Sequence, residues 1–179
     1  MTAYCAFLRG INVNGVKMDM QALKDAFTAM GFLDAVTVLN TGNVVFTARS
    51  EVKALKLLLE RGLSERFSYD AHVFLRSTEQ IAEIIERAKL HPVPEEYHLY
   101  FLLCDDLNAI IALKTFYNTA RHADYEELVS FDSGLLWQIP KGETLTSEFG
   151  KEALGRQYTA SLTSRNMNTI EKVYALMKP

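Results

Sequence analysis

Apolar residues fall along this chain in two rhythms, short unbroken runs and sets spaced at helical intervals, and the order of the two repeats once. Tyr4–Arg9 is a short apolar run closed by Gly10, the composition of a buried strand. Met20, Leu23, Phe27 and Met30 then recur at helical spacing, and Gly31 followed by the apolar Phe32 marks a helix end. Ala35–Leu39 and Val44–Thr47 predict two short strands joined across "NTGN", a turn composition. Ser50 is placed to cap a helix whose Val52, Leu55, Leu58, Leu59 and Leu63 face inward. Ala71–Arg76 predicts another strand. Ser77 with Gln80 makes a capping box ahead of Ile81, Ile84, Ile85 and Ala88.

The second half runs through the same order. His98–Leu103 predicts a strand, and Asp105 or Asp106 caps a helix reaching about Thr119. Leu128–Phe131 and Leu135–Ile139 form a hairpin, followed by a helix near Thr146–Leu154 and a strand at Tyr158–Thr163. Asn168 with Glu171 caps a final helix bearing Ile170, Val173, Tyr174 and Met177. Each half is thus strand–helix–strand–strand–helix–strand plus a helix. This predicts an α+β fold of two ferredoxin-like βαββαβ units with antiparallel sheets, residues 1–90 and 95–179, joined where Pro92 and Pro94 interrupt regular structure. In the first strand both alternate sets are apolar, Tyr4, Ala6 and Leu8 on one face and Cys5 and Phe7 on the other. A sheet open to solvent on one side would alternate, so both faces are expected to be covered and the units to pack as one compact body.

Charge narrows the function classes. The 179 residues carry a formal net charge of −3. Residues 1–90 contribute +1 and residues 91–179 contribute −4, so neither half has the basic excess that phosphate-backbone binding uses. A nucleic-acid-binding module is therefore disfavoured. Cys5 and Cys104 lie inside apolar runs and read as buried reduced thiols. With no signal pattern and no membrane-length apolar run, a cytoplasmic protein is expected. His72, His91, His98 and His122 have no metal-ligand spacing, so no metal and no cofactor is expected. The paired acids Asp105–Asp106 and Glu126–Glu127 read as caps or solvated positions, and Trp137 and Phe131 as core.

One stretch departs from this pattern. After the first strand comes "LRGINVNGVKM", with Arg9, Asn12, Asn14, Gly15 and Lys17, which matches neither the Walker nor the dinucleotide glycine pattern. In a ferredoxin-like unit the first strand runs antiparallel to the third, so this loop is expected beside the turn holding Asn40, Thr41, Gly42 and Asn43. A guanidinium, an ammonium, several carboxamides and the next helix's N-terminal end would then suit a phosphate or carboxylate group. The competing reading is that Asn and Gly only supply turn geometry. A second polar group, "TSRNMNT", contributes Arg165 and Asn166, with Arg76 at the corresponding place in the first half. The expected ligand-binding set is therefore Arg9, Asn12, Asn14, Gly15, Lys17, Thr41, Asn43, Arg165 and Asn166, with a small anionic metabolite as partner. An enzyme acting on such a ligand and an interaction scaffold stand as alternatives, since no nucleophile or general base is evident.

Those residues also carry a family resemblance. "LRGINVNG", "MGF", "NTGNVVF" and "TSRNMNT" resemble the bacterial "domain of unknown function 1697" proteins along essentially the whole chain. Members usually read "RGINVGG" and "SGN", so Asn14 and Thr41 depart from the pattern, and Met167 stands where Trp is common. The resemblance implies an α/β fold with ferredoxin-like halves and no established activity. It marks Arg9, Gly10, Asn12, Gly42, Asn43 and Arg165 as family-pattern positions.

Overall fold

A computed structural model describes residues 1–11, 18–120, 122, 125–131 and 134–178. The elements are β1 (Thr2–Arg9), α1 (Met20–Ala29), β2 (Val36–Val38), β3 (Asn43–Ala48), α2 (Val52–Phe67), β4 (His72–Ser77) and α3 (Thr78–Lys89), then β5 (Tyr97–Cys104), α4 (Leu107–Thr119), β6 (Glu127–Phe131), β7 (Gly134–Pro140), α5 (Glu148–Ala153), β8 (Leu162–Asn166) and α6 (Met167–Met177). They form two four-stranded antiparallel sheets, ordered β2-β3-β1-β4 and β6-β7-β5-β8. Both orders are those of a ferredoxin-like unit, in which each helical crossover skips one strand. The sheets fall on either side of Pro92 and Pro94. By compactness the chain divides into Met1–Ala82 with Glu171–Pro179, and Glu83–Ile170.

In the first unit, Tyr4, Ala6 and Leu8 of β1 pack with Leu23 and Phe27 of α1, Phe46 of β3, and Leu55, Leu59 and Leu63 of α2. Phe46 is the centre of an aromatic cluster, 5.4 Å from Phe27 and 4.7 Å from Phe32 between ring centroids. Edge-on contacts of this kind add to the area that the rings bury. Cys5 and Phe7, on the opposite face of β1, are buried as well, so the middle of that strand, Tyr4–Leu8, meets solvent on neither face. In the second unit Leu102 and Cys104 of β5, Leu113 of α4, Trp137 of β7 and Phe149 of α5 form the equivalent core.

Local signals placed several boundaries. Asp19 caps α1 by accepting the Ala22 N–H at 2.9 Å, and Asp106 caps α4 by accepting that of Asn108 at 2.9 Å. The capping box is formed, with the Ser77 N–H donating to Gln80 at 2.9 Å. Four expectations are corrected. Helix α6 begins at Met167 with Asn166 accepting the Asn168 N–H, so Asn168 lies inside the helix and does not cap it, and Val52, at the first position of α2, is exposed rather than inward-facing. Helix α2 begins after Glu51 with no side-chain cap, so Ser50 does not cap it. The last strand lies at Leu162–Asn166, not Tyr158–Thr163, because Arg156–Tyr158 forms a 3-10 turn and Thr163 pairs with Leu103. Register against β5, a long-range pairing, overrides the local apolar pattern.

Candidate functional site

The end of β1 and the β2–β3 turn meet as the topology requires. Phe7 pairs with Asn43, and the Leu8 N–H donates to the Gly42 carbonyl at 2.8 Å. The turn is tight. Leu39 has φ 58° and Gly42 φ 69°, so left-handed residues stand at both of its ends. A Cβ at Gly42 would lie 3.1 Å from the Leu8 Cβ, so this position needs glycine for space as well as conformation. Leucine in that region carries a cost of order 1 kcal/mol, which the surroundings must hold.

Asn43 does the holding. It is fully buried, and its amide donates to the Val38 carbonyl and to the Thr41 hydroxyl, both at 2.9 Å. Both amide hydrogens are thus engaged inside the turn, and Thr41 Oγ1 is one of their acceptors. For Asn43 the turn-building role accounts for the residue. Asn43→Ala is expected to destabilise the protein by about 2 kcal/mol in urea unfolding, because the buried Val38 carbonyl loses its donor and the side chain's own volume is vacated. A change below about 0.5 kcal/mol, the range of ordinary surface substitutions, would remove that assignment.

Arg9 is different. It closes β1 opposite His72 of β4 and, by strand alternation, lies on the face of Cys5 and Phe7, away from the α1 and α2 core. It is half-buried, and desolvation holds its guanidinium below the ordinary value for arginine. Beside it in sequence register, His72 Nε2 lies 3.3 Å from Asp70 Oδ2. Tyr69, next in the chain, has a buried hydroxyl and a pKa pushed up to about 12 by desolvation. Asn12, Asn14, Gly15 and Lys17 lie outside the described residues. The helix end that the sequence offered to an anion already holds a carboxylate, because Asp19 is the α1 cap. That end contributes less positive potential than the pattern predicted.

Arg165 and Asn166 sit in strand β8 rather than in a strand-to-helix loop. Arg165 is buried opposite Phe101, and its Nη1 donates to the Thr163 hydroxyl at 2.9 Å and the Ser164 carbonyl at 2.7 Å. Asn166 accepts the Asn168 N–H at 2.9 Å and lies 3.1 Å from His98 Nδ1. Arg76 is its counterpart in the first unit, buried opposite Cys5 with Nη1 donating to the Leu75 carbonyl at 2.8 Å. The two arginines are equivalent in place, each bonded to the carbonyl just before it. Arg9 and Arg165 belong to different units.

Sequence reading missed one polar centre. Glu126, expected to be a cap or solvated like Glu127, is buried while Glu127 is exposed. Its Oε1 accepts the Trp137 indole N–H at 2.8 Å and the Ser147 hydroxyl at 2.7 Å. Tyr117 donates its hydroxyl to the Glu126 carbonyl. The available signal was Trp137 itself, since a buried indole N–H needs an acceptor. Among the described residues no group of three acidic, histidine or cysteine side chains could hold a metal ion, and no helix is long and apolar enough to cross a membrane.

Comparison with known proteins agrees with this geometry. The family described as "Protein of unknown function (DUF1697)" matches residues 1–131. A solved structure, that of a conserved bacterial protein from Streptococcus pneumoniae, is similar over 100% of this chain and 99% of its own, at 24% identity and a TM-score of 0.77. At that identity the likeness is one of fold. No curated protein matches the sequence.

Proposed function

Since the chain belongs to the DUF1697 family of proteins of unknown function, we propose from its own residues that it binds a small anionic ligand, phosphate- or carboxylate-bearing, at the end of β1. The observation that carries this reading is Arg9, a half-buried guanidinium at the point where the strand opens into the loop. Partial desolvation strengthens a charge-assisted contact with an anion, and the planar fork of arginine suits two oxygens at once. Asn12, Asn14, Gly15 and Lys17 would complete the site from the loop, with Thr41 on the neighbouring turn.

A difference between the two units supports the same reading. In the second unit β5 hands over to α4 through two residues, Asp105 and Asp106, while in the first the connection from β1 to α1 is residues 10–19. The fold does not need the longer loop, so its length and its arginine, asparagine and lysine content call for another use. Asp19, the carboxylate that follows the loop in sequence, is engaged as the α1 cap.

Inorganic phosphate, pyrophosphate and citrate, titrated calorimetrically and by thermal shift, test the site. At least one is expected to bind the wild-type protein, and at about 100 times its Kd to stabilise it by about 2.7 kcal/mol. Arg9→Ala should remove the shift, and Arg9→Lys should retain only part of it. Binding that survives Arg9→Ala unchanged would overturn the assignment, as would the absence of binding by all three anions.

A further inference from the structure

The strand that faces Arg9 brings a titratable side chain to the same place. Arg9 of β1 and His72 of β4 are directly opposite in the antiparallel register, so both project from one face of the sheet. The Cβ atoms of such a pair stand about 5 Å apart, within reach of one small ligand. Further along the same face come the pairs Phe7–Phe74 and Cys5–Arg76, all four buried. Arg9 and His72 therefore stand where a closed face reaches its end, at the last residue of β1 and the first of β4.

His72 is not a freely solvated histidine. Its side chain is 19% exposed, against 90% for Asp70, and its Nε2 lies 3.3 Å from Asp70 Oδ2. A carboxylate only accepts, so Nε2 carries a proton and contact with a ligand falls to Nδ1. An exposed carboxylate thus orients a mostly covered ring. The nearest charges on the helix beside β4 are engaged with each other. Glu60 of α2 accepts the Val73 N–H at 3.0 Å and lies 3.8 Å from the Lys56 ammonium, which stands 5.0 Å from the centre of the Phe74 ring. Among the described residues, the titratable and charged groups at this end of β1 and β4 are Arg9, Asp70 and His72.

We propose that His72 is a second anion-binding residue of the Arg9 site, and that the pair selects a dianion, the phosphate of a phosphomonoester, over a singly charged carboxylate. This rests on the reading that Arg9 binds an anion, and narrows its ligand class. A phosphomonoester carries about two negative charges at neutral pH and three acceptor oxygens. Two oxygens suit the fork of Arg9, and the third accepts from Nδ1–H of a His72 imidazolium, which takes its second proton from solvent. A carboxylate has two oxygens and one charge, which the guanidinium alone satisfies, so it draws nothing from His72.

Methyl phosphate, dimethyl phosphate and acetate separate the classes, the first being a dianion near neutral pH and the others monoanions. By calorimetry methyl phosphate is expected to bind at least about tenfold more tightly than either, the effect of one charge-assisted hydrogen bond. His72→Gln should weaken methyl phosphate by about tenfold and leave dimethyl phosphate unchanged, so the readout is lost preference and not lost fold. In nitrogen-15 spectra, the ring signals that His72→Gln removes should move to imidazolium values as methyl phosphate saturates the wild-type protein. Asp70→Asn, at an exposed side chain, should weaken methyl phosphate by up to about fivefold, and it decides the matter if His72→Gln does not fold. Methyl phosphate binding that falls with Arg9→Ala yet ignores both other variants would overturn the role of His72 and leave the Arg9 site standing. Equal binding of dimethyl phosphate, or ring signals that do not move, would do the same. Binding of none of the three anions removes the Arg9 site and the role of His72 together.

Discussion

Replacing Glu126 with alanine is expected to lower the free energy of unfolding by about 4 kcal/mol, whereas glutamine at the same position should cost about 1 kcal/mol. The difference isolates the acceptor. Alanine removes the oxygen that receives both the Trp137 indole N–H and the Ser147 hydroxyl, leaving the fully buried indole without its partner. An unmet buried donor costs about 1–3 kcal/mol, and the vacated volume adds to this. Glutamine keeps a carbonyl oxygen in place and loses only the added strength of a charged acceptor. Trp137 is the single tryptophan of the chain, so its fluorescence reports on this corner during denaturation. Equal destabilisation by alanine and glutamine would show that packing, not the hydrogen bond, is what Glu126 supplies. In a double-mutant cycle Trp137→Phe should remove most of the penalty of Glu126→Ala.

Gly150→Ala is expected to destabilise the protein by about 3 kcal/mol, opposite in sign to the helix-propensity effect. Inside a helix alanine is favoured over glycine by about 1 kcal/mol. Gly150 lies within α5, where a Cβ would stand 2.1 Å from the Thr144 carbonyl oxygen and 2.9 Å from Trp137 Cη2. The first of these is backbone. It cannot step aside cheaply, because the Thr146 and Ser147 N–H groups both donate to the Glu143 carbonyl at 3.0 Å, and Ser147 Oγ accepts the Gly150 N–H at 3.0 Å. Overpacking of a fixed corner costs about 1–3 kcal/mol or more, which outweighs the propensity gain. Urea denaturation that finds the alanine variant more stable would mean that α5 shifts away from Thr144.

The two variants probe the same place, where β7, α5 and the segment before β6 meet. Ser147 takes part twice, accepting the Gly150 N–H as cap of α5 and donating its hydroxyl to Glu126. A short helix of six residues has little stability of its own, and these ties explain how it holds position.

How far sequence reached is visible in single residues. The spacing of Leu23 and Phe27, and of Leu55, Leu59 and Leu63, encodes a one-sided helix, and each of those residues is buried. The double-sided apolar run of β1 announced a strand whose middle has no solvent face, because alternation is a local geometric consequence of the extended chain. Asp19, Asp106 and the Ser77–Gln80 pair were legible for the same reason, since a cap acts within three residues of itself. Antiparallel topology, inferred from element order, placed the end of β1 beside the "NTGN" turn.

Other features rest on partners far along the chain. Residues 158–163 are apolar enough for a strand, yet pairing of Thr163, Ser164 and Arg165 with β5 moves the strand to Leu162–Asn166. That shift takes Arg165 out of a loop and buries it. Asn43 looked like one of several interchangeable amides until the left-handed Leu39 and the Val38 carbonyl showed what it holds. Glu126 is indistinguishable from Glu127 as text, and only the approach of Trp137 and Ser147, 11 and 21 residues later, makes one a buried acceptor and leaves the other in solvent.

By itself, then, the order of apolar runs and helical spacings determined the α+β class, the repeated unit and the meeting of β1 with the β2–β3 turn, because period and capping are properties of neighbouring residues. Tertiary structure alone decided strand register, the burial of Arg165 and Glu126, and the placing of His72 opposite Arg9. Each of those depends on which distant side chains arrive in the same volume, and burial energies are settled there.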